Sequence, residues 1–249
     1  GTVAVSVLAN QTPLVVGSLL NAIPYVAGND PVVLDRFVVV ADDSSQIKGA
    51  TVRITSGRQT GDALTFTAAN GITGSYDTAT GVLTLTGTAT VEQYQQALRS
   101  VTFATTTSAL LGLRTFTMDV TDQQNLTGTS LPFTASVIGN AAPLLSLSPS
   151  SLSISLAGSA LPKTLDPQLT IADDSSKLTQ ATVKVTGGVL VGASDNLTVT
   201  IPAGSGITAA WSSSTRTLTL SGTASTADYQ TALQSVKWDI TGLVSLGTW

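Results

Sequence analysis

Cysteine and histidine are both absent from the 249 residues, and methionine occurs once. Their absence excludes a disulfide scaffold, a zinc finger, a thiolate cluster, haem ligation by histidine and any histidine-based catalytic triad. The commonest general base is missing as well. Charged residues make up 10% of the chain and aromatics 5%, against about 25% charged in an ordinary soluble domain. Threonine, serine and glycine supply the polarity instead, a composition that favours sheet over helix. The net charge of -4, the pI near 4.5 and only 11 scattered basic residues argue against nucleic acid or an anionic membrane as partner. No run approaches the roughly 18 apolar residues of a membrane helix, so no membrane insertion is expected. The length allows one or two domains.

What is present is a repeat. Ala41-Asp42-Asp43-Ser44-Ser45 recurs as Ala172-Asp173-Asp174-Ser175-Ser176, and Ala50-Thr51-Val52 as Ala181-Thr182-Val183, both at an offset of 131. Gly71-Ile72-Thr73 returns as Gly206-Ile207-Thr208 at an offset of 135. At that offset Leu83-Thr84-Leu85-Thr86-Gly87-Thr88-Ala89 returns as Leu218-Thr219-Leu220-Ser221-Gly222-Thr223-Ala224, and Tyr94-Gln95-Gln96-Ala97-Leu98 as Tyr229-Gln230-Thr231-Ala232-Leu233. Blocks matched in one order fix the domain count better than length does. Their phase predicts three parts: an orphan closing hairpin over 1–28, a complete unit over 29–139, and a second unit over 140–249 that lacks its closing hairpin. Gly28-Asn29-Asp30-Pro31 and Gly139-Asn140-Ala141-Ala142-Pro143 read as short linkers.

Within each unit, alternation marks the strands. Val52 and Ile54 alternate with Thr51, Arg53 and Thr55, and Leu83 and Leu85 with Val82, Thr84 and Thr86. Turn residues fall between them at Ser56-Gly57, Asn70-Gly71 and Thr80-Gly81. One segment departs from the pattern. Thr90 and Gln93 have capping-box spacing, and Val91, Tyr94, Ala97 and Leu98 then share one face of a short helix. Ser225 and Asp228 repeat the start signal. Tyr94, Leu98, Tyr229 and Leu233 are expected to plug the end of a sandwich rather than bind a ligand. Short strands and about 110 residues per unit specify an all-β chain of tandem antiparallel β-sandwiches, each with one short helix.

The blocks Ala50 to Thr55, Asn70 to Asp77, Thr80 to Gly87, Tyr94 to Val101 and Arg114 to Asp122 resemble the cadherin-like or immunoglobulin-like tandem repeats of very large bacterial surface proteins. The likeness spans 40–122 and, more weakly, 172–249. It implies architecture more than activity. It also implies an extracellular or cell-surface fibre or adhesin in which stacked sandwiches span distance, often with calcium stiffening the joints.

Calcium is the one inorganic partner these residue types could support, because hard cations need clustered oxygens. Candidate ligands are Asp42 and Asp43, Asp173 and Asp174, and Asp119 with Asp122 and Asn125. The competing reading is solvated turn carboxylates, since Asp before Ser-Ser is ordinary turn chemistry, and Asp30 has no counterpart in Asn140-Ala141-Ala142. Glu92 is the only glutamate and suits a helix N-terminus, so no glycosidase carboxylate pair is expected and the chain is not read as an enzyme. The expected partners are copies of itself or adjacent repeats, head to tail. Either neighbouring sequence supplies the missing hairpin, or residues 1–28 of one subunit complete the open sandwich of the next and propagate a filament. The alternatives are a ligand-binding adhesin module, using loops at Arg58-Gln59-Thr60 and Gly187-Gly188, or a viral capsid or tail decoration protein.

Overall fold

The computed structural model describes residues 8–18, 22–106, 111–148, 161–187 and 194–241. Residues 1–7, Gly188 and residues 246–249, all used in the sequence reading, lie outside them. The chain divides into unit 1, Gly1–Asn140, and unit 2, Ala141–Trp249.

Unit 1 opens with β1 (Leu14–Val16), β2 (Ile23–Val26), β3 (Val32–Val33) and β4 (Val39–Ala41). It continues with β5 (Gln46–Ser56), β6 (Asp62–Thr65), β7 (Thr73–Asp77) and β8 (Val82–Thr90). After α1 (Val91–Arg99) come β9 (Thr102–Thr105), β10 (Gly112–Asp122), β11 (Thr127–Thr129) and β12 (Phe133–Ile138). One sheet runs β2-β12-β10-β5-β8-β7, with β11 joined to β10, and a second runs β3-β9-β6, while β1 pairs with β4. The expected alternation is what faces the sheets toward each other: Val52, Ile54, Leu83 and Leu85 are buried while Thr84 and Thr86 are exposed. Across the core Phe103 meets both Tyr25 and Phe116 edge-on at 5.4 Å, and Phe116 stacks on Phe133 at 5.6 Å. Such pairs add about 0.5–1.5 kcal/mol each beyond area burial.

The described residues within 1–28 do not form a detached hairpin. β1 pairs antiparallel with β4, whereas β2 pairs in parallel with β12, so the two strands join different sheets of unit 1. A run of short apolar segments does not reveal which edge each will meet, and here two edges of one sandwich were open to them. Gly28-Asn29-Asp30-Pro31 is likewise a turn inside unit 1 rather than a linker. Gly28 N–H donates to the Thr105 carbonyl at 3.1 Å, and Tyr25 OH to the Asn29 carbonyl at 2.7 Å.

The helix forms as its cap signals require. The Thr90 hydroxyl accepts from Gln93 N–H while the Gln93 side chain accepts from Thr90 N–H. Tyr94, Ala97 and Leu98 are buried, and Tyr94 OH donates to the carbonyl of Gly87. That carbonyl lies beside a register shift between β5 and β8, where Ile47 pairs with Ala89 and Gly49 with Thr86. Gly87 holds φ +130, and a Cβ there would lie 2.5 Å from the Gly71 carbonyl oxygen. The helix tyrosine therefore latches onto a bulge that only glycine fits.

Unit 2 repeats most of this. Its elements are β13 (Leu144–Ser146), β14 (Lys163–Thr164), β15 (Thr170–Ala172), β16 (Lys177–Lys184), β17 (Ser194–Thr198), β18 (Thr208–Ser212), β19 (Thr217–Ser225), α2 (Thr226–Gln234) and β20 (Lys237–Thr241). β16-β19-β18 and β14-β20-β17 form three-stranded sheets, and β13 pairs with β15 as β1 does with β4. The bulge is kept, with Leu178 opposite Ala224 and Gln180 opposite Ser221, Gly222 at φ +133, and Tyr229 OH donating to the Gly222 carbonyl at 2.7 Å. Gln95 and Gln230 also match: each side-chain oxygen accepts a backbone N–H from the strand before the Asp-Asp pair, Val40 and Ile171.

Candidate functional site

The two units differ most along one strand. In unit 1, β5 lies between β8 and β10. Its counterpart β16 pairs only with β19, so its other edge is unpaired among the described residues. Side chains that β10 and β12 seal in unit 1 are uncovered in unit 2. Val52 and Ala50 are buried, whereas Val183 and Ala181 are half-exposed; Val15 is 5% exposed, whereas Leu145 is 50% exposed. Together these residues line a groove of about 530 Å³ whose walls include Leu145, Leu147, Leu165, Ile171, Leu178, Ala181 and Val183. Its floor is set by Leu169, Leu233 and Val236 of the small core. In unit 1 the corresponding space holds Phe116, Met118 and Val120 of β10 and Ala135 and Val137 of β12, all buried. An apolar trough beside unpaired backbone N–H and C=O groups is the geometry that takes up an added strand.

A buried ion pair distinguishes the units in the same region. Arg114 of β10 reaches across the unit 1 sandwich to Asp62 of β6, Nε to Oδ2 at 2.8 Å, with the two side chains 1% and 0% exposed. Asp62 also accepts Gln59 N–H at 2.8 Å. In unit 2 the matching acid, Asp195, two residues before the buried leucine of β17, accepts instead from Trp238 Nε1 at 2.9 Å and from Arg216. Nothing in composition or spacing joined Arg114 to Asp62, because their proximity depends on the two sheets facing each other.

The six aspartates read as calcium ligands do not converge. Asp119 accepts from the Thr51 and Thr129 hydroxyls at 2.8 Å and from Arg53 at 3.1 Å. Asp122 accepts from Gln124 and Leu126 N–H, both at 2.8 Å, and from the Asn10 amide at 2.6 Å. Burial pushes the Asp122 carboxyl up, but the bonds from Asn10, Leu126 and Gln124, with Lys48 nearby, outweigh it and hold the pKa below its ordinary value. Asp43 accepts Gln11 N–H and Asp174 accepts Ala141 N–H, each at 3.1 Å, which ties the strand entering each unit to its Asp-Asp turn. Asp42 and Asp173 are different: both oxygens of Asp42 and Oδ1 of Asp173 are buried without a hydrogen-bond donor from the protein. Among the described residues no group of three acidic side chains, the minimum for a cage, comes together. The set as a whole does not fit a calcium cage, and only Asp42 and Asp173 keep oxygens open to a cation.

Of the loops considered for ligand binding, Arg58 is held back, its Nη1 donating to the Thr78 carbonyl at 3.0 Å. The plugging residues behave as expected: Tyr94, Leu98, Tyr229 and Leu233 are all buried. Burial raises the Tyr94 pKa to about 12 and that of Tyr229 above its ordinary value.

No family model matches the sequence. A stretch of 78 residues, 29% of the chain, is 45% identical to part of halomucin from Haloquadratum walsbyi, and it spans 1% of that protein's length. Among solved structures, murine CEACAM1b aligns over 84% of both chains at 13% identity with a TM-score of 0.25. Protocadherin gamma B7 extracellular cadherin domains 1–4 align over 86% of this chain and 42% of that one, at 13% identity and a TM-score of 0.23. Superpositions at this level carry no argument about function. No helix among the described residues is long and apolar enough to cross a membrane.

Proposed function

We propose that this chain is a structural repeat segment of an extracellular surface fibre or adhesin, built to stack and span, with the edge of β16 that is unpaired among the described residues receiving a strand from a neighbouring repeat or subunit. The observation that carries the reading is the apolar trough of unit 2 beside β16, which among the described residues pairs on one side only, where the matching unit fills the corresponding space with two strands of its own. The likeness to a part of halomucin, a mucin by its name, supports an extracellular setting. Absence of cysteine and histidine is in keeping with a spacer role, and adhesion rather than catalysis is the proposed task. In the filament form of the reading, sandwiches join head to tail because each acceptor edge receives a strand from the next subunit.

Immunogold electron microscopy on native material, using antibody raised against this chain, tests the proposal. Label spaced along cell-surface fibres supports it. Label on isolated closed particles transfers the protein to the capsid or tail class, and label confined to fibre tips favours the ligand-binding module. Because the described aspartates do not gather into a cage, adding calcium to EDTA-treated protein should leave the Tm unchanged; a calcium-dependent rise that is lost when Asp42→Ala and Asp173→Ala are combined would restore calcium to the account.

A further inference from the structure

The sequence carries the triplets Asn10-Gln11-Thr12, Asn125-Leu126-Thr127 and Asn196-Leu197-Thr198, the pattern at which an asparagine amide takes up an oligosaccharide in exported proteins. Their surroundings separate them. The Asn10 amide is committed at both ends: Nδ2 donates to Asp122 Oδ2 at 2.6 Å, and Oδ1 accepts from the Ser44 hydroxyl at 3.0 Å. A sugar on that nitrogen would stand against a carboxylate that is itself buried. Asn196 lies inside β17, half-buried, next to the buried Leu197 and opposite Asp239 of β20. Asn125 is exposed, on the turn between β10 and β11, at φ +72, a left-handed conformation that asparagine tolerates better than most residues. The turn around it is fixed. The Asp122 carboxylate takes the Gln124 and Leu126 N–H groups, the Ser44 hydroxyl donates to the Gln124 side chain at 3.1 Å, and the Gln123 amide donates to the Thr88 hydroxyl at 3.3 Å. Lys48 Nζ donates to Asn125 Oδ1, while among the described residues no acceptor takes up Asn125 Nδ2. Thr127 is exposed two residues on.

We infer that Asn125, rather than Asn10 or Asn196, is an acceptor for an N-linked oligosaccharide. The donor is an oligosaccharide joined through its anomeric carbon to a lipid phosphate, brought by a transferase of the exporting cell. Asn125 Nδ2 forms the new bond to the anomeric carbon and gives up one proton. The bond from that carbon to the phosphate oxygen breaks, and the lipid phosphate leaves with the electron pair. No oxidation or reduction is involved. Because side chains of the turn are tied to Ser44, Lys48 and Thr88, the sugar projects from a set point on unit 1. A chain with only 10% charged residues gains from it a hydrated cover that charges supply on ordinary surfaces.

The inference rests on the proposed extracellular setting and is read separately from it. Native material is digested and mapped by mass spectrometry, with fragmentation locating any added sugar on its residue. The peptide containing Asn125 should carry sugar mass in most copies, and those containing Asn10 and Asn196 should run at their sequence mass. With variants returned to the same host, Thr127→Val should lose the sugar at Asn125 while leaving the asparagine in place. Thr127→Ser keeps the triplet and its hydroxyl and should retain the sugar, which separates loss of the acceptor signal from damage to the turn. An unmodified Asn125 in native material, equal occupancy at Asn10 or Asn196, or sugar kept on Asn125 in Thr127→Val would each overturn the inference. Fibre labelling by electron microscopy with Asn125 unmodified would leave the surface role standing and remove this site. Sugar on Asn125 with label on closed particles would keep the site and remove the fibre.

Discussion

The buried Arg114–Asp62 pair makes a quantitative demand on unit 1. Replacing Arg114 with Ala leaves the Asp62 carboxylate enclosed, with Gln59 N–H still donating to Oδ2 and no donor to Oδ1. Removing one member of such a pair costs about 3–5 kcal/mol, most of it the penalty of the charge left behind. For a unit of this size about 3–4 °C is lost per kcal/mol, so the Tm should fall by roughly 10–20 °C. Substituting both residues, Arg114→Met with Asp62→Leu, removes the stranded charge and should cost less than either single change. Differential scanning calorimetry on the full chain reads this directly. All three tryptophans, Trp211, Trp238 and Trp249, lie in unit 2, so tryptophan emission identifies that unit's transition and leaves the other to unit 1. A single-variant loss under about 1 kcal/mol, or a double variant costing the sum of the two singles, would refute the reasoning.

Other consequences are open to measurement. Gly87→Ala should destabilise unit 1 by about 2–3 kcal/mol, since φ +130 and the Gly71 carbonyl oxygen at 2.5 Å both oppose a Cβ. Gly71→Ala, at φ +75 with nothing within 4 Å, should cost only about 1 kcal/mol, both variants being read by urea titration. Tyr94→Phe removes the hydrogen bond to the Gly87 carbonyl and should cost about 1 kcal/mol by the same measure. Tyr94 titrates near 12 when folded against 10.0 for an ordinary tyrosine, so its contribution is complete below pH 10 and is lost as pH rises through about 12. Asp122 shifts the other way, so its contribution is complete above pH 3.8 and is lost as pH falls through its lowered folded pKa. Stability measured against pH should therefore fall at both ends, and Tyr94→Phe should lessen the alkaline loss, leaving the part due to Tyr25, Tyr76 and Tyr229, without changing the acid arm.

Particular elements show how far local pattern reaches. The Thr90–Gln93 box, the Asn70-Gly71 turn at φ 56 and 75, and the alternation through Val52 and Ile54 are each decided within a few neighbouring residues, and each forms where the sequence indicates. The matched blocks carry more, since repeated spacing implies repeated contacts: the Tyr94–Gly87 latch and its Tyr229–Gly222 copy fall on them. The candidate site was legible only in outline. The matched blocks set Ala50 and Val52 against Ala181 and Val183, but that the first two are buried and the second two half-exposed among the described residues is decided by which strands meet them.

By itself, then, the sequence determined the class of structure, the doubling of the unit and the exclusion of cysteine or histidine chemistry. Composition, period and caps act over short distances and do not depend on what meets what. Tertiary structure alone decided that β1 and β2 part to different sheets, that Arg114 finds Asp62, and that Asp119 and Asp122 serve protein donors while Asp42 and Asp173 keep bare oxygens. Each of these depends on which faces and edges the folded sheets bring together, and a carboxylate's partners lie in space rather than along the chain.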